Sequence, residues 1–121
     1  MASFPTALFL REAEVRRGLD LMFAAQAELA RAVEPILAEA KLGRAHQRAL
    51  YAIGRHPDLT VGTLLMHLRI TKQSLNRVLT ELIERGLVEA RVGRDDRRQR
   101  LLRLTPAGAD LDARLFNAIR A

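Results

Sequence analysis

The fold is decided by the stretch TKQSLNRVLTELIERG, residues 71–86. Its apolar residues recur at helical spacing and form a single stripe, made of Leu75, Val78, Leu79, Leu82 and Ile83. Thr71 is a favourable N-cap, and Gly86 suits the position just past the end of a helix. The pattern therefore predicts a helix over residues 72–85 that buries one face.

The opposite face of this helix has an unusual set of side chains. At helical spacing it carries Gln73, Asn76, Arg77 and Thr80, with no carboxylate before Glu81. Amide side chains pair with adenine, arginine pairs with guanine, and threonine contacts the thymine methyl group. We therefore predict that the helix reads the major groove of double-stranded DNA, through Thr71, Lys72, Gln73, Ser74, Asn76, Arg77 and Thr80. The alternative is an ordinary solvated helix face.

The segments around this helix complete a recognisable layout. Residues 44–56 and 61–68 have helical apolar spacing, and Thr60 is a favourable N-cap for the second of them. After Gly86 the apolar period becomes two, in residues 87–92 and 100–104, which predicts a β-hairpin. Thr105 and Pro106 then begin a last helix over residues 106–121. We predict a mainly α fold with a small β-hairpin, a winged helix-turn-helix.

A long helix is predicted over residues 11–41. Apolar residues follow one another at spacings of three and four, with Gln26 as a polar member of the same seam. Pro35 should kink this helix or start a new turn, and Gly43 should cap its end. A helix of about 30 residues spans roughly 45 Å, which exceeds the width of so small a domain. We therefore expect a homodimer, with the contact made by Val15, Leu19, Met22, Leu29, Val33 and Ile36.

The positive charge is concentrated in the second half of the chain. The whole chain has 20 Lys and Arg against 14 Asp and Glu, a net charge of +6. Residues 59–121 hold twelve of these cations against seven acids, which gives +5. A basic surface on one half is typical of proteins that bind polyanions. Charge alone also fits a solvated face rich in arginine.

The loop between the two predicted strands carries much of this charge. An arginine at the tip of a short hairpin can enter the narrow, electronegative minor groove of DNA. Asp96 and Arg98 are two residues apart and could pair across the loop, with Arg98 directed outward. Arg94, Arg97 and Arg100 suit phosphates. The alternative is a solvated hairpin in which Asp95 and Asp96 offset the arginines.

Several short stretches together resemble one family of bacterial transcription factors. The chain resembles the multiple antibiotic resistance regulator (MarR) family over nearly its whole length, through residues 58–60, 70–74, 84–88, 96–98 and 104–108. The resemblance implies a homodimer that binds a pseudo-palindromic operator, often as a repressor. It also implies a small ligand between the dimerisation helices and the DNA-binding lobe. Arg98 would be the minor-groove arginine and Asp96 its orienting partner. Residues 70–75 also resemble a PetP-like subgroup.

The resemblance suggests a division of the chain into three parts. Residues 1–43 would form the dimerisation helix, residues 44–105 the DNA-binding lobe, and residues 106–121 a C-terminal dimerisation helix. Family members usually continue past this point, so we expect this last part to be incomplete, or dimerisation to depend on residues 8–37. The chain has no cysteine, which excludes a thiol-based sensor.

Other classes of function find little support in the sequence. The histidines His46, His56 and His67 have no metal-ligand spacing with the acids, and Ser3 and Ser74 lack the context of a catalytic triad. No apolar run is long enough to span a membrane, and the N-terminus does not resemble a signal peptide. We expect a cytoplasmic protein that is not an enzyme and has no metal or cofactor. The main alternative is a winged-helix module that binds other proteins instead of DNA.

Overall fold

The computed structural model describes the backbone of residues 3–121 and the side chains of residues 11–121. The helices and strands follow in the order α1 (Ser3–Ala40), α2 (Arg44–Arg55), β1 (Leu59–Thr60), α3 (Val61–Leu68), α4 (Lys72–Glu84), β2 (Val88–Val92), β3 (Arg100–Leu104) and α5 (Pro106–Arg120). The predicted winged helix-turn-helix is confirmed, with α3 and α4 as its helix pair and β2–β3 as its wing. None of the described helices is both long and apolar enough to cross a membrane.

Three threonines begin helices as their sequence context predicts. The hydroxyls of Thr60, Thr71 and Thr105 each accept a hydrogen bond from the backbone N–H three residues later, at 3.0–3.1 Å. Such a cap contributes about 1 kcal/mol to stability. The bounds of α3, α4 and α5 therefore follow from these side chains.

The sheet has one strand more than the sequence predicts. β3 lies in the middle of three antiparallel strands, with β2 on one side and β1 on the other. β1 pairs Leu59 with Leu102 and Thr60 with Leu101. Two residues are too few to show an alternating period, so this strand could not be recognised before the fold was known.

The end of α1 differs from the prediction at one residue. Pro35 lies inside the helix, which continues to Ala40. Gly43 does not cap α1. Lys41 takes the left-handed conformation there, with φ +57°, while Leu42 donates its N–H to the carbonyl of Leu37 at 2.9 Å. This is the hydrogen-bond pattern of a Schellman motif. Gly43 is instead the N-cap of α2.

The core joins the long helix to the winged lobe. Its most deeply buried side chains come from every helix and from the sheet, and include Val33, Leu50, Ile53, Leu64, Leu75, Leu82, Val88, Leu102 and Leu115. Val33 is 0% exposed within its own chain. The prediction that Val33 contacts a partner is therefore wrong. An apolar residue in a seam has the same pattern whether it packs within one chain or between two.

The N-terminus of α5 lies against the turn that follows α4, and Gly108 allows this approach. A Cβ atom on Gly108 would lie 1.9 Å from the carbonyl oxygen of Leu87. We expect Gly108→Ala to lower the free energy of unfolding by about 1–3 kcal/mol, because backbone must shift to make room. Chemical denaturation measures this. Gly62→Ala is the matched control, since a Cβ there meets nothing within 4 Å and alanine favours a helix. Equal losses in both variants would contradict the prediction.

Candidate nucleic-acid interface

The helix α4 presents a polar face to solvent. Leu75, Val78, Leu79 and Leu82 are buried, which fixes how the helix is turned about its own axis. The exposed residues define what we call the reading face: Lys72, Gln73, Asn76, Arg77 and Thr80. The structure thus brings five of the predicted residues together on one surface.

Thr71 and Ser74 serve the start of this helix. The Thr71 hydroxyl accepts from the Ser74 N–H at 3.1 Å and donates to the Ser74 hydroxyl at 2.9 Å. Both side chains are therefore engaged in the cap. The first turn contains no acidic residue, so the partial positive charge of the helix N-terminus is not offset there. Such a terminus suits a phosphate.

In the wing, Asp96 and Arg98 form the predicted ion pair. One carboxylate oxygen of Asp96, Oδ1, accepts from the Arg98 backbone N–H at 3.0 Å and from its side-chain Nε at 3.2 Å. The Arg98 side chain is nevertheless 92% exposed. The loop is closed further by Gly93 and Gln99, whose backbones bond at 3.0 Å. Asp96 therefore orders the loop while the guanidinium of Arg98 remains accessible.

Two arginines of the wing strands form ion pairs with acidic side chains. Arg103 binds Asp58 through two hydrogen bonds of 2.7 and 2.9 Å, and Arg91 lies 3.4 Å from Glu89. The hydrogen bonds from Arg103 hold the pKa of Asp58 below its usual value. Among residues 11–121, no ion pair is found for Arg94, Arg97 or Arg100, all of which are exposed. These three remain available to an anionic partner.

A cleft of about 420 Å³ joins the reading face to the wing. It is lined by Gly62 at the start of α3, by Lys72 and Asn76 of α4, and by Arg98, Gln99 and Arg100 of the wing. No acidic side chain lines it. The sequence did not indicate Gly62 or Gln99, because their place in the cleft depends on how α3 and the wing pack.

Apolar side chains are exposed on the long helix and on α5. Val15, Leu19 and Met22 are 43–56% exposed, as predicted for a contact surface, while Leu29 and Ile36 are half-buried. The sequence did not single out four further exposed residues on these two helices, Leu21, Phe23, Phe116 and Ile119. Large exposed apolar side chains that cluster are typical of interaction surfaces.

A second cleft, of about 440 Å³, lies where α1, α2 and α3 meet. Its lining combines an apolar part with basic and amide side chains, among them Leu29, Arg44, Gln47, Arg48, Tyr51 and His67. Such a mixture is typical of sites for small organic molecules.

Comparison with known proteins decides the family. Residues 41–99 match a model described as MarR family. Over 115 residues the chain is 50% identical to the HTH-type transcriptional regulator PetP of Rhodobacter capsulatus, a match that covers 95% of this chain and 69% of PetP. The chain belongs to the MarR family of transcription regulators. It is accordingly a DNA-binding transcription regulator, and the predicted family is confirmed.

Solved structures of the MarR family share the fold. A point mutant of S. aureus MepR, bound to an oligodeoxyribonucleotide, has a TM-score of 0.73 at 19% identity, covering 83% of this chain and 74% of that one. NadR in complex with 4-hydroxyphenylacetate also has a TM-score of 0.73, at 27% identity, covering 84% of this chain and 71% of NadR. The PetP relative and the family model are of regulators, not of enzymes.

The histidines have structural partners. His46 lies 2.7 Å from Glu81, and the rings of His56 and His67 stack with centroids 5.6 Å apart. Within the part of the chain that the structure describes, no three His, Asp or Glu residues are grouped to hold a metal.

Proposed function

We propose that the protein acts in the cytoplasm as a homodimer that represses transcription from a pseudo-palindromic operator. The observation that carries the proposal is the acid-free cleft between the reading face and the wing, because it places base-reading and phosphate-binding groups on one side of the lobe. Residues 44–105 form the DNA-binding lobe in this proposal. Residues 1–43 and 106–121 form the dimerisation part.

Each part of the interface has its own role in the proposal. Gln73, Asn76, Arg77 and Thr80 contact base edges in the major groove. Lys72 and the N-terminus of α4, capped by Thr71 and Ser74, bind phosphates. On the wing, Arg98 enters the minor groove, oriented by Asp96, while Arg94, Arg97 and Arg100 bind the flanking backbone.

The dimer forms through the apolar surface of α1. Val15, Leu19 and Met22 make the contact in this proposal, with Leu29 and Ile36 at its edge. The exposed Phe116 and Ile119 of α5 extend the surface, since α5 packs along α1. Two copies related by a two-fold axis would each present one reading face to a half-site.

A small organic molecule in the second cleft releases the operator in this proposal. Arg44 and Arg48 give the cleft positive charge, and Leu29 and Tyr51 give it apolar walls, so an aromatic acid is the chemistry that fits. The NadR complex, which contains 4-hydroxyphenylacetate, supports this class of ligand. The cleft borders α1 and α3, so a ligand there contacts both the dimerisation part and the DNA-binding lobe.

Selection of bound duplexes from a random library tests the proposed function. We expect the selected sequences to contain two inverted half-sites with centres about 10 base pairs, one helical turn, apart or a multiple of that distance. The same groove faces the same side of the duplex once per helical turn, so the two protomers of a two-fold symmetric dimer can bind it at that separation. Enrichment of a single asymmetric site would contradict the dimeric arrangement. Absence of any enriched sequence would favour a protein-binding module.

A further inference from the structure

The C-terminal half of α4 is tied to the corner between α1 and α2. The corner consists of residues 40–46, which end α1 and begin α2. Glu81 lies in the last turn of α4 and Arg85 is the C-cap residue that follows it. They are four residues apart, so they lie on the same side of the helix, and both reach this corner. They lie at the other end of the helix from the residues that cap its first turn.

Arg85 binds the end of α1. Its guanidinium donates one hydrogen bond to the carbonyl of Ala40 and another, of 3.1 Å, to the carbonyl of Lys41. The last carbonyls of a helix lack partners within the helix and carry partial negative charge. The last turn of α1 contains no basic residue of its own. Arg85, the C-cap residue of α4, therefore places a cation against the carbonyl end of α1.

Glu81 binds the start of α2 through His46. The backbone N–H of Gly43 donates to His46 Nδ1 at 3.0 Å, so the ring proton is on Nε2 and is donated to Glu81 at 2.7 Å. The His46 side chain is only 14% exposed. The helix α4 is thus connected through the imidazole of His46 to Gly43, the N-cap of α2. Among the described side chains, the hydrogen bonds from α4 and its cap residue to the corner are those of Glu81 and Arg85.

We infer that Glu81 and Arg85 are positioning residues that determine which separation of operator half-sites the protein accepts. The inference rests on the proposed homodimer, in which α1 leads from the corner to the partner. The α4 helix has 13 residues and is about 20 Å long. If the axis of α4 tilts by about 10° about its C-terminal end, its N-terminal end moves by about 3.4 Å, which is the rise of one base pair. A clamp at the corner therefore controls the distance between the two reading faces.

The test is affinity for a series of duplexes that carry the same half-sites at different separations. Wild-type protein is expected to prefer one separation. Arg85→Met is expected to reduce that preference, measured as the ratio of affinities for the best duplex and one lengthened by one base pair, by about fivefold or more. Arg85→Lys should restore part of it, since an ammonium can still bind one carbonyl. A merely structural role would lower all affinities together and leave the ratio unchanged.

Further variants keep the test decisive. Glu81→Ala should reduce the preference in the same direction, whereas Glu81→Gln, which retains an oxygen acceptor for His46, should resemble wild type. Arg31→Met is the matched control, since Arg31 is exposed on α1 and lies 3.6 Å from Glu28 of the same helix. Thermal unfolding identifies the variants that fold. An unchanged ratio in folded Arg85→Met or Glu81→Ala overturns the inference alone, while a wild-type protein without any preferred separation overturns the proposed dimer as well.

Discussion

DNA binding by this protein is expected to weaken by about 10³–10⁵-fold when salt rises from about 50 to about 200 mM, if the dimer makes roughly 6–10 phosphate contacts. Each cation that neutralises a phosphate releases condensed counterions, and added salt opposes that release. The exposed arginines 94, 97 and 100 and Lys72 supply candidates for these contacts in each protomer. Fluorescence anisotropy on a selected duplex, repeated over a series of salt concentrations, measures the slope.

A variant assigns part of this slope to the wing. Arg98→Ala removes one cation per protomer from the minor groove, which is walled by the phosphates of both strands. The slope of log affinity against log salt should therefore become less steep by about two for the proposed dimer. Arg31→Ala removes the same charge from the exposed side of α1 and should leave the slope unchanged. A slope near zero for the wild type would overturn DNA binding through phosphates. An Arg98→Ala slope equal to that of the wild type would remove Arg98 from the interface.

Leu19→Asp is expected to dissociate the proposed dimer. Leu19 is 43% exposed on one chain and lies between Val15 and Met22 in the apolar surface of α1. An unpaired carboxylate buried between two helices carries a large desolvation cost. A two-fold symmetric dimer would bury two of these carboxylates. Sedimentation should then give the mass of a single chain, 13.6 kDa. Loss of the second half-site should lower DNA affinity by roughly 10²–10⁴-fold.

The chain offers a matched control for this substitution two residues away. Leu21 is 64% exposed, and two residues correspond to about 200° around a helix, so it points away from the proposed contact. Leu21→Asp is expected to sediment as a dimer and to bind DNA as the wild type does. If Leu19→Asp remains dimeric, the contact lies elsewhere, with Phe116 and Ile119 of α5 as the next candidates.

Local chemistry made much of the fold predictable from the sequence. Thr60, Thr71 and Thr105 each place a hydroxyl where a helix begins, and Gly86 takes the left-handed conformation, φ +71°, where α4 ends. The Asp96–Arg98 pair was also predictable, because both members belong to one short loop. Features that depend on near neighbours in the chain leave a signal in the sequence.

The features that the sequence did not reveal depend on distant residues. Arg85 binds the carbonyls of Ala40 and Lys41, which are separated from it by 45 and 44 positions in the chain. Nothing in the sequence around Arg85 indicates these partners. Glycine is the usual residue after the end of a helix, so the sequence predicts Gly43 as the cap of α1, whereas Lys41 takes the left-handed conformation there. Helical spacing does not distinguish a core residue from an interface residue, so the sequence predicts a dimer contact at Val33, which lies in the core. Base-contacting roles within the reading face remain predictions.

The hydrogen bonds around Asp96 also affect the entropy of binding. Immobilising a long side chain at an interface costs about 0.5–1.5 kcal/mol of conformational entropy. Asp96 binds both the backbone and the side chain of Arg98 in the protein without DNA, so part of this ordering occurs when the chain folds. In the proposed complex the wing therefore approaches DNA with Arg98 partly ordered, and it loses less conformational entropy on binding than an unrestrained loop would.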